Sequence, residues 1–117
     1  MPIVGVGIDV VELERFDRAV ARTDRFAEKV FTPVERELGR HSMAANWAAK
    51  EALAKALGAP AGLSWQDVQV VREPSGRPRL EISGSVAVRA AELGISTLHV
   101  SLSHDAGIAS AVVIAEA

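Results

Sequence analysis

The chain predicts an α+β fold in which an antiparallel sheet wraps one side of a long central helix, and three observations lead there. An apolar run from Ile3 to Val11, broken by a lone acid at Asp9, opens as a buried strand. The stretch 46–58, reading NWAAKEALAKALG, is a helix with alanine on nearly every side, so other elements can approach it closely and it belongs at the centre. The second half supplies strands joined mostly by hairpin turns, which favours an antiparallel arrangement over parallel crossovers.

The elements follow in order. A helix begins near Glu12 and carries Arg15, Arg18, Arg22 and Arg25 at helical spacing, with Leu13, Phe16, Val20 and Phe26 opposite. Thr23-Asp24 is an alternative start for a new short helix, which would take Arg25 off that stripe. Pro33 to Leu38 reads as a short helix with proline in its first turn. Ser42 is the expected N-cap of the long helix, which runs through Leu57 and stops at Gly58 and Pro60. Val68 to Arg72 and Arg79 to Ile82 form a hairpin about Pro74-Ser75-Gly76. Ser83 or Ser85 caps a helix running to Leu93, and Gly94 ends it. Two last strands, Thr97 to Ser103 and Ile108 to Ala115, flank a turn at His104-Asp105-Ala106-Gly107.

A chain of 117 residues is expected to form one domain, 1–117, with a modest core. Without cysteine it has neither disulfides nor thiolate metal sites, and its redox compartment stays open. No apolar run approaches the length of a membrane span, and the N-terminus lacks a secretory signature, so the expectation is a cytoplasmic protein with no membrane association. A formal charge of −2 argues against binding nucleic acid through bulk electrostatics. Any anion site must therefore be local.

Chemistry concentrates at two places. Glu51 and Lys55 stand four apart on the alanine-rich helix, one turn beyond Trp47, and so share one face. This is either an exposed ion pair or a face that holds a metal and a phosphate. Asp9 interrupts the opening strand, where an ionised carboxylate costs several kcal/mol unless a cation or hydrogen-bond donors offset it. Asp9 and Glu51 together form a candidate two-carboxylate magnesium site, the hard-oxygen set that Mg²⁺ completes with water and substrate phosphates. The alternative for Asp9 is to cap the helix that follows. Lys50 points about 100° away from Glu51 and is the least secure member of the group. The arginine stripe is either a local basic patch or simply a solvated face, given Glu14, Asp17 and Asp24 among it. His41 and His99 have no evident partners.

Five segments stand in order between Ile3 and Val113: Gly7-Ile8-Asp9 with Glu12 and Arg15, Phe31-Thr32-Pro33-Val34-Glu35, the Trp47 to Gly58 helix, Gly76-Arg77-Pro78, and Ser101-Leu102-Ser103-His104. As a set they resemble the short, holo-acyl carrier protein synthase type of 4′-phosphopantetheinyl transferase. The resemblance implies transfer of 4′-phosphopantetheine from coenzyme A to a serine of apo-acyl carrier protein, with release of adenosine 3′,5′-bisphosphate, in fatty acid or polyketide biosynthesis. It further implies Mg²⁺ on Asp9 and Glu51, Lys55 directed to a phosphate, and Glu51 or a water it orients as the base. Ser103 and His104 would contact the nucleotide of coenzyme A, Arg77 and Pro78 would bind substrate, and Asp105 is a further catalytic candidate. Arg15, Arg18 and Arg22 would dock the acidic carrier, Arg15 above all. The resemblance also implies a homotrimer with active sites between adjacent subunits. One departure stands out: many members carry Arg-Phe where this chain has Asn46-Trp47, so one expected phosphate contact is missing. A non-catalytic coenzyme A-binding module and a purely structural oligomer are the competing readings, and neither needs Asp9, Glu51 and Lys55 together.

Overall fold

The structure is a computed structural model that describes residues 2–117. Its elements in chain order are β1 (Ile3–Glu12), α1 (Leu13–Arg22), α2 (Asp24–Val30), α3 (Arg40–Ala56), β2 (Val68–Arg72), β3 (Pro78–Ile82), α4 (Gly84–Glu92), β4 (Thr97–Asp105) and β5 (Ile108–Glu116). Short 3₁₀ turns at Glu35–Glu37 and Trp65–Asp67 precede α3 and β2. The class is α+β, as expected. The strands form a three-stranded antiparallel sheet in the order β1-β5-β4 and a separate β2-β3 hairpin.

The alternation along β1 explains how the sheet meets α3. Gly5, Gly7, Asp9 and Val11 turn inward, whereas Val4, Val6, Ile8 and Val10 are exposed on the other face. A methyl group on Gly5 would run into the carbonyl oxygen of Ala56, and one on Gly7 into that of Ala52, so the helix lies directly against the strand backbone. Alanines 48, 49, 52 and 56 of α3 are all buried, and the space beside them is filled by Leu53, Leu57, Val68, Val70, Val86 and Val113. A second cluster gathers Phe16, Val30, Phe31 and Met43 where α1 and α2 cover the N-terminal half of α3. There Phe16, Phe26 and Phe31 meet edge-to-face at 5.9, 6.0 and 6.2 Å.

Several boundaries differ from expectation for local reasons. The helix α3 begins at Arg40 with extended Gly39 as its N-cap, three residues before the serine expected there. The last hairpin is longer than expected, because Ala106 (φ 52°) and Gly107 (φ 77°) make the turn alone and leave His104 and Asp105 in β4. Asp9 does not cap α1; Glu12 occupies that position without a side-chain hydrogen bond. Thr23 is extended and its hydroxyl accepts from the Arg25 amide, so a new helix starts there and Arg25 leaves the stripe. Ser83 sits at the N-cap of α4 without bonding through its side chain, and Asp67 Oδ2 instead accepts from the Ser85 amide at 2.8 Å.

Candidate functional site

The glycine seam ends at Asp9, the next inward position of β1, and there the strand meets the charged face of α3. Lys55 Nζ donates to the Ile8 carbonyl at 2.9 Å and to Asp9 Oδ1 at 3.2 Å, so the strand's one acid has a cation beside it. The other oxygen, Asp9 Oδ2, is buried with no hydrogen-bond partner. Glu51, one turn before Lys55, lies against this carboxylate. Burial pushes the Glu51 carboxyl up to about 7; the neighbouring Asp9 carboxylate adds to the rise, and Lys55 opposes it. Two adjoining carboxylates, one with an unsatisfied oxygen, make an anionic site that one lysine only partly neutralises.

The donor set fits a hard divalent cation. Among the described residues no group of three His, Cys, Asp or Glu side chains is gathered, so a soft-metal cage is not on offer. Two adjoining carboxylates suit magnesium, which keeps several waters and takes further oxygens from substrate phosphates. Of the two, Glu51 also borders a cleft of about 260 Å³, together with Val11, Arg15, Phe16, Phe26 and Trp47. Trp47 forms its aromatic wall, packed edge-on against Phe26 at 5.3 Å and Trp65 at 4.9 Å. Arg15, Arg18 and Arg22 are exposed along α1, and Arg15 stands on the rim of this cleft.

The remaining candidates lie elsewhere. Asp9 pairs with Ala111 and Ala111 with Leu102, so β1 and β4 are opposite edges of the sheet. Ser103, His104 and Asp105 are exposed at the end of β4, where the His104 ring stands 6.5 Å from that of His41 in the first turn of α3. Arg77 and Pro78 border a separate cleft of about 270 Å³ with Glu73, Leu98, His99 and Val100, again on the β4 side. One chain therefore brings Asp9, Glu51, Lys55, Trp47 and Arg15 together and holds the β4 candidates apart from them.

Lys50 does not join the site. Its ammonium is buried, paired with Glu35 Oε1 at 2.7 Å, and donates to the carbonyls of Val30 at 2.7 Å and Trp65 at 2.9 Å. Burial pushes its pKa down and Glu35 resists. Asn46, one turn earlier, spends its amide on Glu35 Oε2 at 3.2 Å. It therefore faces the core, away from the Trp47-Glu51-Lys55 face. Sequence reasoning missed Glu35. The available signal was the Thr32-Pro33-Val34-Glu35 spacing of a capping box, in which the Thr32 amide donates to Glu35 Oε1 at 3.0 Å and the Glu35 amide to Thr32 Oγ1 at 3.3 Å.

The chain belongs to the 4′-phosphopantetheinyl transferase superfamily, whose family model matches residues 5–113. It is 62% identical to holo-acyl carrier protein synthase of Streptomyces coelicolor, over 99% of both chains. Its fold superimposes on holo-acyl carrier protein synthase from Neisseria meningitidis with a TM-score of 0.90, at 30% identity, over 99% of this chain and 100% of that one. The synthase from Helicobacter pylori in complex with coenzyme A matches with a TM-score of 0.84, at 33% identity, over 95% of this chain and 99% of that one.

Proposed function

We propose that this chain, acting as one domain over 1–117, transfers 4′-phosphopantetheine from coenzyme A to a serine of apo-acyl carrier protein, with Asp9 and Glu51 as the acids that hold Mg²⁺. The observation that carries the site assignment is the buried, unpartnered Asp9 Oδ2 beside a Glu51 carboxyl raised to about 7. Two acids held this close are stable as a charged pair only with a cation between them or on them. When bound there, magnesium supplies charge neutralisation for the diphosphate of coenzyme A.

The chain's own residues do the rest. The serine hydroxyl attacks the β-phosphorus, the bridging P–O bond breaks, and adenosine 3′,5′-bisphosphate leaves. Glu51, or a water it orients, is the group placed to take the serine proton. Lys55, exposed at its end and anchored beside Asp9, would meet a phosphate oxygen as a compact cation. Arg15, Arg18 and Arg22 dock an acidic carrier beside the cleft.

The division of candidates between β1 and β4 supports a homotrimer. Ser103, His104, Asp105, Arg77 and Pro78 of one subunit would complete the nucleotide side of the site that a neighbour's Asp9, Glu51 and Lys55 begin. The sheet face opposite α3 is apolar where such a neighbour would pack: Val6, Ile8 and Val10 are 58%, 63% and 59% exposed. No helix of the described residues is long and apolar enough to cross a membrane, in keeping with a cytoplasmic enzyme serving fatty acid or polyketide synthesis.

The test combines the protein, coenzyme A, magnesium and an apo-acyl carrier protein and weighs the carrier by mass spectrometry. The phosphopantetheine increment is expected, and its loss on chelation of magnesium. No increment on several apo-carriers, from a folded preparation, refutes the transferase reading.

A further inference from the structure

Glu35 and Lys50 form a buried ion pair that the reaction does not use, and their surroundings point to a role in holding the site. Every polar atom of the pair is engaged. The three donors of Lys50 Nζ meet Glu35 Oε1, Val30 O and Trp65 O. Glu35 Oε1 also accepts from the Thr32 amide at 3.0 Å, and Oε2 from Asn46 Nδ2 at 3.2 Å and the Val70 amide at 3.1 Å. The two side chains thereby tie the end of α2, the 3₁₀ turn before β2 and the middle of β2 to one side of α3.

On a helix wheel of about 100° per residue, Ala52 and Ala56 lie roughly opposite Lys50, and Glu51 falls between the two directions. The opposite side of α3 is pressed onto Gly5 and Gly7, where not even a methyl group fits. The helix is thus stopped on one side by strand backbone and pulled on the other by a saturated ammonium. Its rotation about its own axis is fixed, and Glu51 faces Asp9 as a result. A carboxylate about 6 Å from the axis moves about 1 Å for a rotation of about 10°, a displacement large enough to matter for catalytic geometry.

We propose that Glu35 and Lys50 are positioning residues for the acid pair: together with Asn46 they lock the rotation of α3 that sets Glu51 against Asp9. The proposal rests on the reading of Asp9 and Glu51 as metal-holding acids, so its test measures metal binding rather than turnover. Mn²⁺ is titrated with coenzyme A present, and free Mn²⁺ is read from its electron paramagnetic resonance signal. The proteins compared are wild type, Asp9→Asn, the charge-neutral double variant Glu35→Gln/Lys50→Met, and Asn46→Ala, with folding followed by circular dichroism.

The double variant is expected to fold and to bind Mn²⁺ on the order of tenfold more weakly, as supporting residues around a metal site do when lost. Asn46→Ala keeps the ion pair and loses one hydrogen bond, and a smaller rise in the dissociation constant is expected. A melting temperature that falls while the Mn²⁺ constant stays at the wild-type value makes the pair merely structural and overturns the proposal. Should the double variant fail to fold, the constant of Asn46→Ala decides alone, and a wild-type value there overturns the proposal too. Wild-type protein that binds Mn²⁺ no better than Asp9→Asn strikes down the metal reading itself, and the positioning role with it.

Discussion

Replacing Glu51 by Gln makes the metal-free protein more stable at neutral pH while removing its function. The fold disfavours the charged carboxyl, moving its pKa from an ordinary 4.5 to about 7. Between those values the folded protein keeps a proton that the unfolded chain has released. Stability therefore falls as pH rises through that window, and it levels off above about pH 7. A rise of that size corresponds to roughly 3 kcal/mol, which solvent screening of a half-buried group reduces to about 1–2 kcal/mol. For a chain of this length that is a melting difference of about 3–8 °C. The assay is thermal unfolding of Glu51→Gln and wild type between pH 5 and pH 8 with divalent ions chelated. The gap should be small at pH 5, widen with pH, and be reversed by magnesium, which stabilises only the wild type by mass action. A gap constant across that range, or a variant less stable than wild type at pH 8, refutes the crowded-acid argument. Phosphopantetheine transfer by Glu51→Gln near the wild-type rate eliminates it as ligand and base alike.

Other outcomes follow from the same geometry. Lys50→Met leaves Glu35 as an unpaired buried carboxylate and should cost about 3–5 kcal/mol in urea unfolding. Gly7→Ala places a methyl group against the Ala52 carbonyl and should cost at least about 1–3 kcal/mol by the same measurement, with magnesium-dependent activity falling as α3 is pushed away. Arg15→Ala should raise the carrier KM several-fold, leave that of coenzyme A nearly unchanged, and flatten the dependence of rate on salt.

How much of this was legible depended on the range of the interactions involved. The boundaries of β2 were read correctly, because Val68, Val70 and Val71 are β-branched residues closed off by a proline turn. Asp9 was legible as a costly acid because it interrupts an apolar run after Gly5 and Gly7, but that run was read as a buried strand, and Val4, Val6, Ile8 and Val10 are exposed on its outer face. The start of α3 was misplaced because Ser42 is the stronger capping residue by type, while Arg40 is held by tertiary contacts, its guanidinium donating to the Asp17 carbonyl at 3.1 Å. The two-residue turn at Ala106-Gly107 was hidden by an alanine at positive φ, which composition gives little reason to expect. Lys50 and Glu51 are neighbours in sequence with opposite fates, and only the partners of Lys50 from the end of α2 and the two 3₁₀ turns tell them apart.

The placement of acids at one edge of the sheet and nucleotide candidates at the other carries its own test. If each site is built from two chains, an Asp9→Asn subunit retains a usable β4 side, and a His104→Ala subunit retains usable acids. Each variant alone is expected to be impaired. Denaturing the two together and refolding them at equal amounts gives randomly mixed rings. A given site then draws intact acids with a chance of about one half and an intact β4 side with a chance of about one half, so about one quarter of sites are whole. Transfer should recover toward that fraction of the wild-type rate only in the co-refolded mixture, and not when the separately refolded proteins are combined and assayed at once. Because β1 and β4 are separated by β5, no rearrangement of side chains within one chain mimics this result. A co-refolded mixture no more active than the mean of its parents would mean that every site is complete within a single chain, and the exposed Val6, Ile8 and Val10 face would need another occupant.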